Sequence, residues 1–432
     1  MEQCTRRQFL SACAAAGPLA MGLAGAQPQS PAAPAAFPAL AQRLNDSPLT
    51  YLDSAATTLR PRAVIDALVE FYSTDNANPS PVHQLASRAA QRLAAARQTI
   101  ATFIHAADPS EVVFVRGTTE GVNLVASTWA AANLRAGDEI VLTVAEHNSN
   151  LMPWTRAART AGATVRIVDV DDEGRLRIDQ LKTFLSARTR LVAFSHVSNV
   201  LGLVNPAKEI CALARQAGAH IVIDGAQAAP HVAIDVQDLG CDFYVFSGHK
   251  MLGPMGTGVL WGRRELLDAM PPYHVGSNMA HEVDFEHAAL EHGAQKFHAG
   301  TPDVAGPVGL AAAVSFLDRL GRDTLWTHDQ DLVRHGLQRL ATIPRLRLIG
   351  PTRPDQRVPV FTFVIEGQSP AAVAKLLDQR GIAVRAGDMA ALPLLKRFGV
   401  TEANRASAYV YSTREEIDRL ADGLMTIGRG SR

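Results

Sequence analysis

Val245-Phe246-Ser247-Gly248-His249-Lys250-Met251-Leu252-Gly253-Pro254 sets one lysine among small residues directly after a strand-like apolar run, Phe243 to Phe246. Most lysines are solvated charges on long stems. This one sits at the end of a buried strand, beside an imidazole, with glycines that let the backbone approach a ligand. Those surroundings lower an amine's pKa and make it nucleophilic enough for Schiff-base chemistry.

Outward from this stretch the chain alternates short apolar runs with helical patterns. The runs are Val112–Val115, Ile140–Thr143, Thr164–Val168, Leu191–Ser195, His220–Asp224, Phe243–Phe246 and Gly258–Trp261. Amphipathic stretches such as Pro206 to Ala217 lie between the first five. β-branched runs separated by helices predict an α/β layer fold with a mainly parallel, seven-stranded sheet. After Gly306 a long helical segment leads to a smaller α+β unit. There Val360–Ile365, Ala383–Arg385 and Ala408–Tyr411 read as strands, with helices near Ala371–Gln379 and Arg414–Ile427. The expected organisation is a large domain over 61–306, a connecting helix and small C-terminal domain over 307–432, and a segment 38–60 that packs with the small domain.

The 432 residues are 47% hydrophobic and 19% charged, with 42 basic against 42 acidic side chains. No net charge points to nucleic acid or an anionic membrane surface. Residues 1–26 read as a twin-arginine export signal: Thr5-Arg6-Arg7-Gln8-Phe9-Leu10, an Ala-rich apolar stretch, and Ala24-Gly25-Ala26 as a cleavage pattern. The apolar part is shorter than the ~20 residues that span a bilayer, which argues against a membrane anchor. Export implies a periplasmic protein. Gln27 to Phe37, rich in Pro and Ala, is expected to be a flexible linker. Cys4 and Cys13 leave with the signal; Cys211 and Cys241 remain and are expected to be reduced, structural residues.

Chemically active side chains recur at the C-terminal ends of the predicted strands, where α/β proteins place their sites. Gly117-Thr118-Thr119-Glu120-Gly121 opens a helix and can cradle a phosphate. An N-cap with an acidic first turn accounts for one Thr and Glu120 equally well. His220-Ile221-Val222-Ile223-Asp224-Gly225-Ala226-Gln227 ends a buried strand on a carboxylate, which requires a cationic partner such as a pyridinium nitrogen. Ala145-Glu146-His147-Asn148 ends another strand with an imidazole, and Ser198-Asn199 follows a fourth. Five such strand ends are hard to read as structural.

Together these features resemble the class V aminotransferase family of pyridoxal-phosphate enzymes (fold type I), and specifically its cysteine desulfurase and selenocysteine lyase-like branch. The motifs are Tyr51-Leu52-Asp53-Ser54-Ala55-Ala56, Phe114-Val115-Arg116-Gly117-Thr118-Thr119-Glu120-Gly121, His196-Val197-Ser198-Asn199-Val200-Leu201-Gly202, Asp224-Gly225-Ala226-Gln227 and Cys241 to Lys250. The resemblance implies that Lys250 forms the Schiff base with pyridoxal 5'-phosphate and moves protons. Asp224 would pair with the pyridine nitrogen, Gln227 would contact the ring hydroxyl, and His147 would stack on the ring and assist acid–base steps. Thr118, Thr119, Ser247 and His249 would hold the phosphate. Thr301, in Phe297-His298-Ala299-Gly300-Thr301-Pro302, would reach the partner's phosphate in a homodimer. Arg405 would bind the substrate carboxylate, as suits a bidentate guanidinium, with Asn199 and Arg385 close to cofactor and substrate. No metal is implied.

The pattern breaks at one place. Cysteine desulfurases of this branch carry a run like Arg-Thr-Gly-His-His-Cys-Ala before a Pro. The matching stretch here is Arg385-Ala386-Gly387-Asp388-Met389-Ala390-Ala391-Leu392-Pro393, with the spacing kept and Ala390 in the cysteine's place. Asn78-Pro79-Ser80-Pro81-Val82-His83 also departs from the family's His-Arg-Gly-x-His. An alanine cannot lift sulfur off as a persulfide. The expected reaction is therefore β-elimination of a C–S or C–Se bond. Transamination or epimerisation of another amino acid, and a non-catalytic cofactor-binding accessory role, are the alternatives. Asn78–His83 and the replaced loop are expected to set the substrate.

Overall fold

The computed structural model describes residues 31–429, so the expected export signal and the first residues of the expected linker lie outside the described residues. Seven strands form the central sheet: β1 Val112–Val115, β2 Glu139–Thr143, β3 Thr164–Val168, β4 Thr189–Ser195, β5 His220–Asp224, β6 Phe243–Ser247 and β7 Gly258–Gly262. Their spatial order is β1-β7-β6-β5-β4-β2-β3. Only β7 runs antiparallel to its neighbours β1 and β6; every other pairing is parallel. The mainly parallel seven-stranded sheet is thus the fold observed. β6 is buried along its whole length, because helices cover both faces of the sheet, and so it reads as an unbroken apolar run. β3, at the edge, leaves Thr164, Arg166 and Ile167 exposed, and its charge discourages further pairing.

The longer helices are α1 Arg62–Thr74, α2 Gln84–Phe103, α3 Thr118–Val125, α4 Asn148–Ala161, α5 Ala207–Gln216, α6 Ala305–Leu320, α7 Arg322–Leu340, α8 Pro370–Asp378 and α9 Arg414–Gly428. α6 packs against both α1 and α2. On α5 the stripe Ala207, Ile210, Cys211 and Ala214 is buried, the 3.6-residue period that the sequence shows. A capping box closes the start of α9, where the Thr413 and Glu416 side chains each accept the other's backbone N–H.

A second sheet of four antiparallel strands, β8 Leu346–Ile349, β9 Val360–Ile365, β10 Arg385–Gly387 and β11 Ala403–Ser407, has the order β8-β9-β11-β10. Leu332, Val333, Phe361, Phe363, Leu420 and Leu424 build its core. Two sequence expectations need correction here. The last strand is Ala403–Ser407 rather than Ala408–Tyr411, which is buried coil. The predicted strand Ala383–Arg385 is split between two ladders: Ile382–Ala383 pairs in parallel with Thr50–Tyr51, and Arg385 opens β10.

The linker's last residue is also docked rather than flexible. Phe37 is only 1% exposed, with its ring 4.8 Å from that of Tyr411 and 5.8 Å from that of Phe316. One aromatic ring in a Pro/Ala-rich stretch is enough apolar surface to hold that end down. Beyond Thr50–Tyr51 the chain crosses back to the main sheet. There the Thr58 N–H and both Thr57 and Thr58 hydroxyls donate to the His249 carbonyl, at 2.9, 3.1 and 3.0 Å. Among the described residues no helix is long and apolar enough to cross a membrane.

Candidate active site

The C-terminal ends of the parallel strands converge on one cavity, and the small sheet and the segment after Tyr51 close it. Thr118, Thr119, His147, Asn199, Asp224, Gln227, Ser247, His249, Lys250, Arg385 and Arg405 all line it. Thr301 does not. It is exposed on a neighbouring hollow beside Phe114, His298 and Asp303. Asn78–His83 also stays away from this chain's cavity: exposed Val82 leads to His83, whose Nδ1 accepts the Ala86 N–H at 3.2 Å to cap α2.

β6 ends at Ser247, and a single 3-10 turn, Gly248–Lys250, aims the lysine into the cavity. Among the described residues its amine has no hydrogen-bond or ion-pair partner. Burial lowers the Lys250 pKa from 10.5 to about 8; the Asp224 carboxylate opposes this and Arg405 reinforces it. Asp224 ends β5, buried, and its carboxylate accepts the Ala226 N–H at 2.9 Å, its one hydrogen bond among the described residues. Burial pushes its carboxyl up, against the pull of that hydrogen bond and of Lys250. Gly225 follows because a Cβ there would lie 2.1 Å from the Tyr244 ring.

His147 caps α4, its Nδ1 accepting the Ser149 N–H at 3.1 Å, which leaves its proton on Nε2. Burial, then Lys250 and Arg405, pull its pKa from 6.5 down to about 4, so the ring is neutral at pH 7. Behind it the buried Glu146 accepts from Thr143 Oγ1, Asn150 Nδ2 and the Ser195 N–H at 2.5, 2.7 and 3.1 Å, and burial raises it to about 8. Where β1 meets α3, Gly117 adopts φ +154°, a conformation that favours glycine. The Thr118 N–H donates to Ser247 Oγ at 2.8 Å, and the two hydroxyls lie 2.8 Å apart. His249, pulled by burial to about 4, has Nδ1 3.2 Å from Thr57 Oγ1.

Across the cavity, Arg385 and Arg405 are register partners on β10 and β11. Like charges opposed in this way repel. Asp53 relieves them: its carboxylate accepts from Arg385 Nη2 at 2.6 Å and stands 3.5 Å from Arg405 Nη2. Arg405 is 3% exposed and donates to the Asn199 carbonyl at 3.0 Å, yet its Nε has no partner among the described residues. The Asn199 amide donates to the Met389 carbonyl at 2.9 Å, and Gln227 Nε2 to the Ala55 carbonyl at 2.7 Å. Ala390 lines the cavity and its carbonyl accepts the Asn148 N–H at 2.7 Å. Among the described residues both cysteines, Cys211 and Cys241, are free, buried and absent from the lining. Burial raises the thiol of Cys211 to about 12 and that of Cys241 well above its ordinary value.

Sequence reasoning missed Ala55 and Ser195 as cavity residues, and Asp53 as the carboxylate that holds the two arginines lining it. Tyr51-Leu52-Asp53-Ser54-Ala55-Ala56 stood out only as a motif, and nothing in its spacing ties residue 53 to residues 385 and 405. Ser195 is 5% exposed and its Oγ is unpartnered.

Residues 50–420 match the family described as Aminotransferase class-V. The chain belongs to the class V aminotransferase family. A cysteine desulfurase of Synechococcus elongatus is 46% identical over 91% of this chain, which spans 63% of that relative's length. A probable cysteine desulfurase of Halalkalibacterium halodurans is 46% identical, covering 90% of this chain and 95% of its own. The crystal structure of an Escherichia coli cysteine desulfurase superposes with a TM-score of 0.83 at 38% identity, covering 90% of this chain and 96% of that one.

This class V cavity fits pyridoxal phosphate on its own observations. It offers a buried carboxylate with no ion pair among the described residues, a lysine whose amine is unengaged there, and hydroxyls gathered at the start of α3. Two of its buried polar atoms, Ser195 Oγ and Arg405 Nε, are also without partners.

Proposed function

We infer that this chain is a pyridoxal-phosphate-dependent lyase that cleaves the C–S or C–Se bond of a cysteine-like amino acid by β-elimination, without a persulfide on the protein. The observation that carries the reading is Ala390: the cavity keeps its lysine, carboxylate and arginines while the described residues that line it include no thiol. Pyridoxal phosphate supplies an electron sink for the pair released when the Cα–H bond breaks. Lys250 would hold the cofactor and Asp224 would face its cationic nitrogen. Thr118, Thr119, Ser247 and His249 would hold the phosphate.

In this reading Arg405 takes the substrate carboxylate, with its free Nε and with Asp53 fixing the guanidinium plane. Lys250 Nζ removes the α-proton. The Cα–H electron pair becomes the second bond of Cα=Cβ, and the sulfur leaves with the Cβ–S pair. His147 Nε2 carries the one ring proton and can donate it toward that sulfur, its neutrality held by burial. The enamine product hydrolyses in water to pyruvate and ammonium. We infer also that the protein is exported to the periplasm by its twin-arginine segment and works as a homodimer with Thr301 reaching the second site; light scattering of the mature chain reads the latter.

The test incubates cofactor-loaded protein with cysteine, cystine and S-substituted cysteines and measures pyruvate and sulfide, with a persulfide probe on the protein. Pyruvate with an unlabelled protein is the expected result. No pyruvate from any of these substrates, or a labelled Cys211 or Cys241, sets the reading aside. Transamination is the second reading, since Lys250 can return the proton it takes at another carbon. One equivalent of keto acid per site from an amino donor, with no ammonium, distinguishes it.

A further inference from the structure

We propose that Asp388 selects the substrate's side chain, favouring a thioether amino acid that ends in a positive charge or hydrogen-bond donor and turning away one that ends in a carboxylate. This rests on the lyase reading, and its test reads binding separately from turnover.

Two directions in the cavity are already taken. A substrate carboxylate goes to Arg405, and the reacting carbon and nitrogen face Lys250. The side chain is left to run along His147 and the 386–390 segment, which forms one wall of the cavity. On that wall Ala386, Gly387 and Ala390 present no polar side chain, and Met389 is buried with its carbonyl already accepting from Asn199. The Ala390 carbonyl is likewise held by Asn148. Asp388 is the exception. Its Oδ1 accepts the Ala390 N–H at 3.0 Å, which steadies a turn whose Met389 and Ala390 both have φ +53°; its Oδ2 has no protein partner among the described residues.

Among the described residues no basic side chain forms an ion pair with Asp388. Arg385 lies on the same segment, but its guanidinium is engaged by Asp53. The Asp388 carboxylate is felt inside the cavity, where it acts against the lowering of the His147 pKa. Asp388 is exposed, and there a charge separates a cationic from an anionic tail by up to roughly tenfold in affinity, an effect that salt weakens.

The probes are S-(2-aminoethyl)-L-cysteine, S-ethyl-L-cysteine and S-carboxymethyl-L-cysteine, titrated into the cofactor-loaded enzyme while the absorbance of the bound chromophore is followed. The expected order of affinity is aminoethyl, ethyl, carboxymethyl, spanning about tenfold at low salt and narrowing at high salt. Asp388→Asn, which keeps the acceptor for the Ala390 N–H, collapses the span to about twofold, and Asp388→Lys inverts it. Equal binding of the two charged probes, or an order that survives Asp388→Asn, overturns the proposal. Pyruvate is measured in the same samples. Its absence beside the expected order defeats the lyase reading alone, and its presence beside no charge order defeats the role of Asp388 alone.

Discussion

At the scale of single residues the site turns on Lys250. A lysine at its ordinary pKa of 10.5 is neutral in roughly one molecule per thousand at pH 7.5; lowered to about 8, it is neutral in roughly one quarter. Only the neutral amine attacks a carbonyl. The rate at which the apoprotein captures pyridoxal phosphate should therefore rise about tenfold per pH unit and level off near pH 8, which stopped-flow absorbance can follow. Asp224 opposes the lowering, so Asp224→Ala should move the plateau to lower pH. A rate that keeps climbing to pH 10 would contradict the role of burial at this lysine. The residue was legible in the sequence because its neighbours are local: an apolar run before it, small residues around it, an imidazole beside it. Asp53 was not, because its meaning lies in two arginines more than three hundred positions away in the chain, and no sequence periodicity carries that pairing.

At the scale of elements the parallel strands were readable because burial on both faces leaves an unbroken apolar run. The small sheet was less so. Ala403–Ser407 contains Asn404 and Arg405, fully buried polar groups that a strand reading avoids, while Ala408-Tyr409-Val410-Tyr411 has the residue types that favour strands. Tertiary contacts decide against propensity. The Tyr409 hydroxyl donates to the Pro230 carbonyl at 2.9 Å, and the Tyr411 hydroxyl lies 2.9 Å from Ser54 Oγ, so this stretch is held as buried coil tying small sheet to large. The junction at the end of β5 obeys a stricter limit. A Cβ on Gly225 would lie 2.1 Å from the Tyr244 ring, whose hydroxyl is 3.0 Å from His196 Nδ1. Gly225→Ala must displace that buried ring or shift Asp224. We expect a loss of about 1–3 kcal/mol, the usual range for overpacking, read by urea unfolding of the apoprotein. Cofactor affinity should fall with it, since Asp224 is the next residue. A variant as stable as the parent would mean that the Tyr244 ring has room to move.

At the scale of the whole molecule the cavity is a junction of three parts of the chain. The main sheet brings Asp224 and Lys250, the small sheet brings Arg385 and Arg405, and the segment after Tyr51 brings Ala55 and Ala56, holds Arg385 through Asp53 and donates to the His249 carbonyl. A ligand held in the folded site and not by the unfolded chain stabilises the fold by mass action, about 4 kcal/mol at a thousandfold excess over its dissociation constant. An unfolding entropy of roughly 2 cal/mol/K per residue over about 400 residues converts this to an upward shift in Tm of about 5 °C. Because all three parts meet at one cavity, that shift should move a single transition rather than separate an early one from a late one. Scanning calorimetry of the apoprotein with and without pyridoxal phosphate provides the measurement. Lys250→Ala should keep only part of the shift, since the phosphate and Asp224 contacts remain while the covalent link is lost. Two transitions of which only the later responds would show instead that the small sheet unfolds independently, and that Arg385, Arg405 and Asp53 couple it to the main sheet only weakly.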